Sequence, residues 1–262
     1  IYQGENCLRE VKYSDDTSVV FPVRLVQGRE YNFAVWADIV SQTNPAVSYY
    51  NAESLKSISI NMDEWTPMNE ARDAFYGNAE LGEEDNLADL QTIELTRPFA
   101  KVRVVATDID VVKKLGIEPD NATVTYTVAL PTTFNAVSGV ADTDNATSIS
   151  AIDYAMSAYT EATGQLTVFA DYIFVPENGT ISFNLNVKDG NASIKENNFS
   201  TAIPVERHKV TSIVGDVLTD SKDLDININD KFDAETIYLE GDVTLTEDME
   251  INRPIVVREG VS

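Results

Sequence analysis

The chain offers few side chains for a conventional catalytic centre. It has one histidine, His208, and one cysteine, Cys7, in 262 residues. Metal sites built from several histidines or cysteines, and a disulfide within the chain, are therefore excluded by count. His208 lies between Arg207 and Lys209 in a strand-like stretch, which predicts a partly exposed strand residue; a pH-sensitive interface residue is the functional alternative. We predict no catalytic residue and no metal ligand.

Oxygen ligands of the kind that bind calcium are concentrated between Asp220 and Asp233. The run lacks the glycine and the terminal glutamate of an EF-hand loop. Its polar residues instead alternate with apolar ones, which is typical of the outer face of a half-buried strand. The polar positions are Asp223, Asp225, Asn227 and Asn229, and the apolar positions are Leu224, Ile226 and Ile228. We therefore predict a strand here, without a metal or a cofactor.

Aromatic residues cluster in the first third of the chain, and the three of interest are Tyr49, Tyr50 and Trp65. Exposed rings at these positions would form a stacking platform for a sugar, whereas buried rings would belong to the core. The 43 acidic residues could supply a carboxylate pair for glycoside hydrolysis, but nothing in the sequence places two of them in one cleft. The three aromatic residues are the predicted ligand-binding residues, and no enzyme is predicted.

Charge excludes two classes of partner. Lysine and arginine number 19 against 43 aspartates and glutamates, which gives a formal net charge of −24. Such a surface repels phosphate backbones and anionic lipid headgroups, so nucleic acid and membrane surfaces are not expected partners. Hydrophobic residues make up 43% of the chain, enough for a packed core, and no apolar run reaches the ~18 residues of a membrane span. The chain starts at Ile1 without a signal peptide, so we expect any export signal upstream.

Period-two alternation of apolar and polar residues dominates the chain and predicts an all-β fold. The runs at 19–25 and 31–37 flank Gly28 and are predicted to form a hairpin. Further strands are predicted at 57–62, 92–96, 100–106, 122–129, 164–175, 180–187, 203–219 and 224–230. A short helix is predicted from Asp108 to Leu115, with Asp108 as its cap and Gly116 at its end. Many short strands at this spacing favour β-sandwiches.

Three units are predicted along the chain. Residues 1–97 form an N-terminal β-sandwich domain, and residues 98–233 form a C-terminal β-sandwich domain, because Pro98 favours an extended chain at its start. Residues 234–262 form a strand-rich tail. The tail is either the opening of a parallel β-solenoid or a donor strand for a neighbouring subunit, and its period-two pattern fits both.

Several segments together resemble the fimbrillins, the type V pilins of Gram-negative anaerobes. They are residues 28–38, 69–77, 95–103 and 204–219, and the resemblance covers about residues 20–232. It implies two tandem transthyretin-like β-sandwich domains. It also implies an extracellular place, in a fimbria or on the outer membrane as a lipoprotein, with pilin-like subunits or surface ligands as partners. In polymerising members of that family a strand from the next subunit fills an open groove, which is β-augmentation.

The resemblance implies an acceptor groove in the first domain, which would be lined by Leu8, Val11, Val20, Val23 and Leu25. Cys7 lacks the apolar residues that precede a lipidated cysteine, so lipid attachment is expected upstream of Ile1. Adhesion or assembly at a cell surface is the predicted function. The alternatives are a carbohydrate-binding module of a surface lipoprotein, or an anchor domain that precedes a β-solenoid catalytic region.

Overall fold

The computed structural model describes residues 2–3, 6–7, 11–12, 18–39, 48–86, 92–156, 164–219, 224–229, 237–239 and 255–257. The strands at 2–3, 6–7, 237–239 and 255–257 are described by their backbone alone. Leu8 lies outside the described residues, as does Asp223.

Within these residues the fold is all-β, as predicted, with one short α-helix and two single-turn 3-10 helices. The strands before residue 97 are β1 (Tyr2–Gln3), β2 (Asn6–Cys7), β3 (Tyr31–Asp38), β4 (Tyr50–Asn51), β5 (Ile58–Ile60) and β6 (Ala74–Leu81). Those that follow are β7 (Phe99–Ala106), β8 (Asn121–Tyr126), β9 (Thr133–Asn135), β10 (Val140–Ala141), β11 (Ile152–Ala155), β12 (Leu166–Phe174), β13 (Asn178–Asp189), β14 (Ala192–Glu206), β15 (Val210–Gly215), β16 (Leu224–Asn229), β17 (Ile237–Leu239) and β18 (Ile255–Val257). The helices are α1 (Ile109–Lys113) and the 3-10 turns Met62–Glu64 and Glu70–Arg72.

The strands form four sheets of four strands and one pair. In spatial order, sheet one is β2-β1-β3-β6, sheet two is β10-β9-β5-β4, sheet three is β11-β8-β13-β14, sheet four is β12-β7-β15-β16, and the pair is β17-β18. Strands β15 and β16 are antiparallel neighbours, which confirms the prediction for the last two strands before the tail.

Sheets three and four face each other across an apolar core. Phe169 of β12 packs against Phe183 of β13 with ring centroids 5.0 Å apart, and Phe183 also packs against Phe199 of β14 at 4.9 Å. Every residue of β7 is buried, and β7 lies inside sheet four between antiparallel β12 and parallel β15. Its sequence is correspondingly rich in apolar residues, as in other strands covered on both faces.

Sheets one and two pack together and join the same core. Phe134 of β9 packs against Tyr76 of β6 at 4.7 Å and against Phe174 of β12 at 5.5 Å. Sheet two itself combines β4 and β5, which precede residue 97, with β9 and β10, which follow it. Hydrophobic packing is therefore continuous between the segments before and after residue 97. The division into domains at 1–97, 98–233 and 234–262 stays a prediction.

The predicted hairpin of residues 19–25 with 31–37 is wrong. Residues 18–30 contain no strand, and β3 pairs instead with β6 over eight residues and with β1 at Tyr2 opposite Asn32. Pro22 interrupts the 19–25 run and cannot donate a ladder hydrogen bond, whereas β6 offers an uninterrupted partner. The predicted strand at 92–96 is reduced to one bridge, between Thr96 and Tyr76.

The predicted helix after residue 108 exists as α1, and Gly116 follows it with a φ of 75°. Asp108 occupies the N-cap position of this helix, as predicted, but its side chain makes no capping hydrogen bond. Its buried carboxylate instead accepts hydrogen bonds from the backbone N–H groups of Leu218 and Thr219, at 3.0 and 2.7 Å. Asp108 therefore holds the segment that follows β15 against the start of α1.

Candidate functional site

The outer edge of sheet four is the most distinctive exposed feature of the described structure. Strand β16 pairs with β15 on one side, and no described strand pairs with its other side. Its apolar residues Leu224, Ile226 and Ile228 remain 42%, 47% and 37% exposed. We refer to these three residues as the β16 stripe.

The β16 stripe lies on the core side of its sheet. Ile226 is directly opposite Ile213 of β15, and Ile228 is opposite Thr211, and both of these β15 residues are fully buried. Residues directly opposite one another in an antiparallel pair share a face of the sheet. The stripe therefore continues the buried, core-facing residues of β15 onto a strand that the opposing sheet does not cover. Strand β16, which was predicted to be half-buried, is thus more exposed than expected.

The neighbouring edge strand, β14, carries features that oppose the addition of another strand. Its pairing with β13 is irregular opposite Ile181–Phe183 and again opposite Val187–Lys188. Pro204 lies within β14 and lacks a backbone donor. Bulges and prolines of this kind protect sheet edges from association. Strand β16 has neither feature, since its six residues pair with β15 in unbroken register and include no proline.

The remaining described edges of the four sheets are short or covered. On the edge of β12, the carbonyl oxygen of Ala170 accepts a hydrogen bond from the backbone N–H of Met68, at 2.7 Å. The edge of β6 is bridged by Thr96, with both Tyr76–Thr96 backbone bonds at 2.8 Å. Strands β2, β4 and β10 have two residues each, and β11 has four. Among these sheets β16 is thus the longest regular edge without cover in the described part of the chain.

The predicted groove residues do not line a covered groove. Val11, Val20 and Val23 are 57%, 67% and 36% exposed, and Leu25 is half-buried. The last three belong to residues 18–30, which contain no strand and show further exposed apolar side chains at Val19, Phe21 and Val26. This stretch is a second uncovered apolar surface, and its use as an acceptor groove stays a prediction.

The three predicted ligand-binding aromatics are placed mainly in the core. Tyr50 and Trp65 are buried, and Tyr49 is half-buried against the same core. The Tyr50 hydroxyl donates to the carbonyl of Arg72 at 2.5 Å, and Trp65 Nε1 donates to Asp171 at 2.8 Å. Buried rings offer no face to a sugar, so the placement does not favour the stacking platform, which stays a prediction.

A buried ion pair that the sequence did not reveal lies beside these aromatics. The Arg72 guanidinium contacts the Asp171 carboxylate, and both residues are only 1% exposed. Asp171 also accepts from the Tyr126 hydroxyl at 2.6 Å, and Arg72 donates to the carbonyl of Tyr172 at 3.2 Å. Burial would lower the pKa of Arg72, but Asp171 and its other neighbours raise it, while burial and then Asp171 raise the pKa of Tyr126. The guanidinium therefore stays charged and the phenol stays protonated, which suits a structural anchor.

The polar residues of β16 that the structure describes are spread along one face of the strand. Asp225 and Asn227 are exposed on the face opposite the stripe, and Asn229 is half-buried. Across the described residues, no group of three or more histidine, cysteine, aspartate or glutamate side chains converges as metal ligands would. In the loop after β10, the carboxylate of Asp142 accepts hydrogen bonds from the backbone and the side-chain amide of Asn145, and the second of these bonds is 2.8 Å long.

His208 lies in a turn, not in a strand. Its φ is 67°, in the left-handed region that few residues other than glycine adopt. Its ring is half-buried and stacks on Tyr76 with centroids 6.5 Å apart, and its Nδ1 is buried without a described hydrogen-bond partner. Burial, and next the positive charge of Arg207, lower the pKa of His208 below its ordinary value of 6.5.

This pKa shift predicts a pH-dependent stability. The unfolded chain binds the proton at a higher pH than the folded chain, so the folded state should lose stability as the pH falls below 6.5. Urea unfolding midpoints measured between about pH 7.5 and 5.5 should decline in wild type. The decline should be smaller in a His208→Gln variant, and an equal decline in both proteins would contradict the assignment.

None of the described helices has the length and apolar character needed to cross a membrane.

Comparisons with known proteins place the chain in a family without giving it a role. The chain belongs to a family of unknown function (DUF6562), whose family model matches residues 1–252. No protein with a curated description matches it significantly.

Three solved structures illustrate its similarity to other proteins. One is a protein proposed to act in cell adhesion from Bacteroides ovatus, with 15% identity, a TM-score of 0.46, and coverage of 84% of this chain and 74% of that one. A proposed adhesin from Bacteroides thetaiotaomicron has 11% identity, a TM-score of 0.38, and coverage of 79% and 78%. A fimbrial assembly protein from Parabacteroides distasonis has 14% identity, a TM-score of 0.35, and coverage of 76% and 72%. Likeness at this level does not transfer the roles of those proteins to this chain.

Proposed function

We propose that this protein is a non-enzymatic component of a bacterial cell surface that assembles with its neighbours by adding a β-strand to the edge of β16. The observation that carries the proposal is the β16 stripe. It combines three half-exposed apolar side chains with a regular strand edge that no described strand covers.

One added strand would pair with the open edge of β16 and also cover its exposed apolar side chains. Its backbone would pair along the outer edge of β16, and its alternate side chains would cover Leu224, Ile226 and Ile228. The two flanking irregularities of β14 and its Pro204 would keep the same strand from pairing with sheet three instead. Affinity would come from the main chain, and specificity would come from the side chains that fit the stripe.

The resemblance to fimbrillins supports the wider setting of this proposal. That setting is a type V pilus or an outer-membrane lipoprotein, with two transthyretin-like β-sandwiches and with other pilin-like subunits or surface ligands as partners. The exposed apolar stretch of Val20 and Val23 supports a second acceptor surface in the first domain. The dense negative charge keeps the molecule soluble and favours a strand as the partner over a nucleic acid.

An Ile226→Lys variant is expected to weaken self-association at least tenfold, about 1.4 kcal/mol of binding free energy. A charge in the centre of the stripe would have to be buried without a counter-ion when a strand is added. Sedimentation velocity across a concentration series measures the change. Because Ile226 is 47% exposed, the unfolding free energy of the monomer should change little.

The matched control is Asn227→Lys, which adds the same charge to the same strand on its opposite, exposed face. This control should associate nearly as well as wild type. Equal association of all three proteins, or an equal loss in both variants, would contradict the proposed role of the stripe.

A further inference from the structure

The backbone groups at the outer edge of β16 belong to the residues of the β16 stripe. The N–H of Lys101 donates to Lys209 O, and the N–H of Thr107 donates to Gly215 O, both at 3.0 Å. Neighbouring residues of a strand direct their backbone groups to opposite sides, so the odd-numbered residues of β15 face β7 and the even-numbered ones face β16. Opposite the even-numbered residues lie Asp225, Asn227 and Asn229. These three bond to β15, and the N–H and C=O groups of the stripe therefore point outward.

This direction sets what an added strand has to provide. In an antiparallel pair, the residues directly opposite the stripe would exchange N–H and C=O bonds with it, and their side chains would cover it. The residues between them would turn their backbone groups away from β16. The added strand therefore needs apolar side chains and N–H groups at alternate positions, and a proline is tolerated only between those positions.

Residues 18–26 meet these requirements. None of them lies in a described strand, and five of their apolar side chains are between 36% and 67% exposed. The alternate apolar residues are Val19, Phe21, Val23 and Leu25. Pro22 falls between two of them, so in an antiparallel pair it would face outward and lose no bond to β16. In a parallel pair Pro22 would have to donate to β16, which it cannot do, so the segment fits only in the antiparallel direction.

One antiparallel register also pairs opposite charges. It places Leu25 opposite Leu224, Val23 opposite Ile226, and Phe21 opposite Ile228. Arg24 then falls directly opposite Asp225, and these are the only charged residues of the segment and of β16. Opposite charges at directly opposed positions stabilise an antiparallel pair. A shift by two residues would keep the apolar face but lose the charge pair.

The segment is held at its C-terminal end by its own first sheet. The Tyr31 hydroxyl of β3 accepts from the N–H of Val26 at 2.9 Å and donates to Val26 O at 3.2 Å. The side chain of Gln27 donates to the carbonyls of Glu83 and Asp85. Strand β3 belongs to sheet one and β16 belongs to sheet four, so one copy presents the segment and the stripe on different sheets.

We therefore propose that residues 19–25 of one copy add antiparallel to β16 of a second copy of this chain. The inference rests on the proposed function, because it names the strand that β16 receives. The segment then acts as the inserted strand, which is an alternative to its use as an acceptor surface. Since the two surfaces differ, the contact is heterologous and repeats from copy to copy, which gives an open chain or a ring.

Mixing two variants tests this contact. Val23→Pro removes an N–H that the segment needs and leaves β16 intact, whereas Ile226→Lys blocks β16 and leaves the segment intact. Each variant alone should associate at least tenfold more weakly than wild type in sedimentation velocity. Their equimolar mixture should form pairs and nothing larger, because each pair has one working contact. The control is Val20→Pro, whose lost N–H would face outward and which should associate like wild type.

The outcomes separate this inference from the proposed function. Weaker association of Ile226→Lys, but not of Val23→Pro, would show that β16 receives another strand, which overturns only this inference. Equal association of Ile226→Lys and wild type would contradict both. Failure of the two variants to pair when mixed, or a wild-type chain that stays monomeric at its highest soluble concentration, would also overturn the inference.

Charge exchange tests the register. Arg24→Asp and Asp225→Arg should each weaken association at least about threefold, because each places like charges opposite one another. The double variant carries both changes and restores an opposite-charge pair, so it should associate nearly as well as wild type. Additive losses in the double variant would overturn this register.

Discussion

An Asp171→Ala variant is expected to lose about 3–5 kcal/mol of unfolding free energy, because the Arg72 charge would stay buried without its partner. Both residues are 1% exposed, and Asp171 also accepts from Trp65 Nε1 and from the Tyr126 hydroxyl. Three buried side-chain donors, and the backbone N–H of Tyr172, would lose this acceptor in one step. Urea unfolding at neutral pH, followed by circular dichroism, measures the loss.

The control for this variant is Asp153→Ala. Asp153 also pairs with a cation, Lys188 at 2.9 Å, but its side chain is 78% exposed. Exposed pairs contribute about 0–1 kcal/mol, so this variant should unfold nearly like wild type. Replacing the buried pair with Arg72→Met and Asp171→Leu together should recover much of the loss, because the unpaired charge is then removed. Similar losses in Asp171→Ala and Asp153→Ala would show that the buried pair is not an anchor.

A Phe174→Ala variant is expected to lose a similar amount, about 3–5 kcal/mol, through the cavity it leaves in the core. Phe174 is fully buried and stacks on Phe99 at 4.9 Å and on Phe134 at 5.5 Å. It also packs against Trp36 and Tyr50, which precede residue 97, at 6.5 and 6.1 Å. Loss of this ring should therefore destabilise the packing on both sides of the predicted domain boundary.

Urea unfolding of Phe174→Ala should be followed by tryptophan fluorescence and by circular dichroism together. Coincident transitions, both shifted, are expected from a continuous core. Two separate transitions, with only one of them shifted, would instead support independent domains at 1–97 and 98–233. Leu115→Ala is the control, because Leu115 is 72% exposed and its removal should change stability by less than about 0.5 kcal/mol.

The strands with clear alternation or dense β-branched residues were predictable from sequence. Predicted runs at 31–37, 100–106, 164–175 and 180–187 correspond to β3, β7, β12 and β13. The run at 19–25 has the same composition, yet residues 18–30 contain no strand. Local pattern shows that a segment can be a strand, but the available partner decides whether it becomes one.

The longest strand, β14, was recognised only in part. Its stretch Ala192–Glu206 has irregular alternation, because its pairing with β13 shifts register twice. The shift opposite Val187–Lys188 adds one residue to β14, which moves the following side chains to the other face and disrupts the period-two signal. The shift opposite Ile181–Phe183 adds two residues, which interrupts the pairing without exchanging the faces. The same irregularity is what distinguishes the protected edge of β14 from the regular edge of β16.

The exposure of the β16 stripe and the buried Arg72–Asp171 pair both depend on contacts between distant parts of the chain. The alternation at 224–230 predicted β16 and its two faces, but exposure of the β16 stripe depends on where the opposing sheet ends. Arg72 and Asp171 are 99 residues apart, and nothing near either residue indicates a buried partner. Such long-range pairs arise only when the sheets are assembled, so a single sequence does not reveal them.

The parallel pairing of β7 with β15 has a consequence for biogenesis. Arg103 of β7 and Ser212 of β15, whose side chains bond at 2.7 Å, are 109 residues apart. At about 5–20 residues per second, the ribosome needs roughly 5–20 seconds to deliver the second strand after the first. During that delay β7, whose residues are all buried in the folded protein, has no permanent neighbour on one side. We therefore expect the nascent chain to rely on a chaperone until synthesis has passed residue 215.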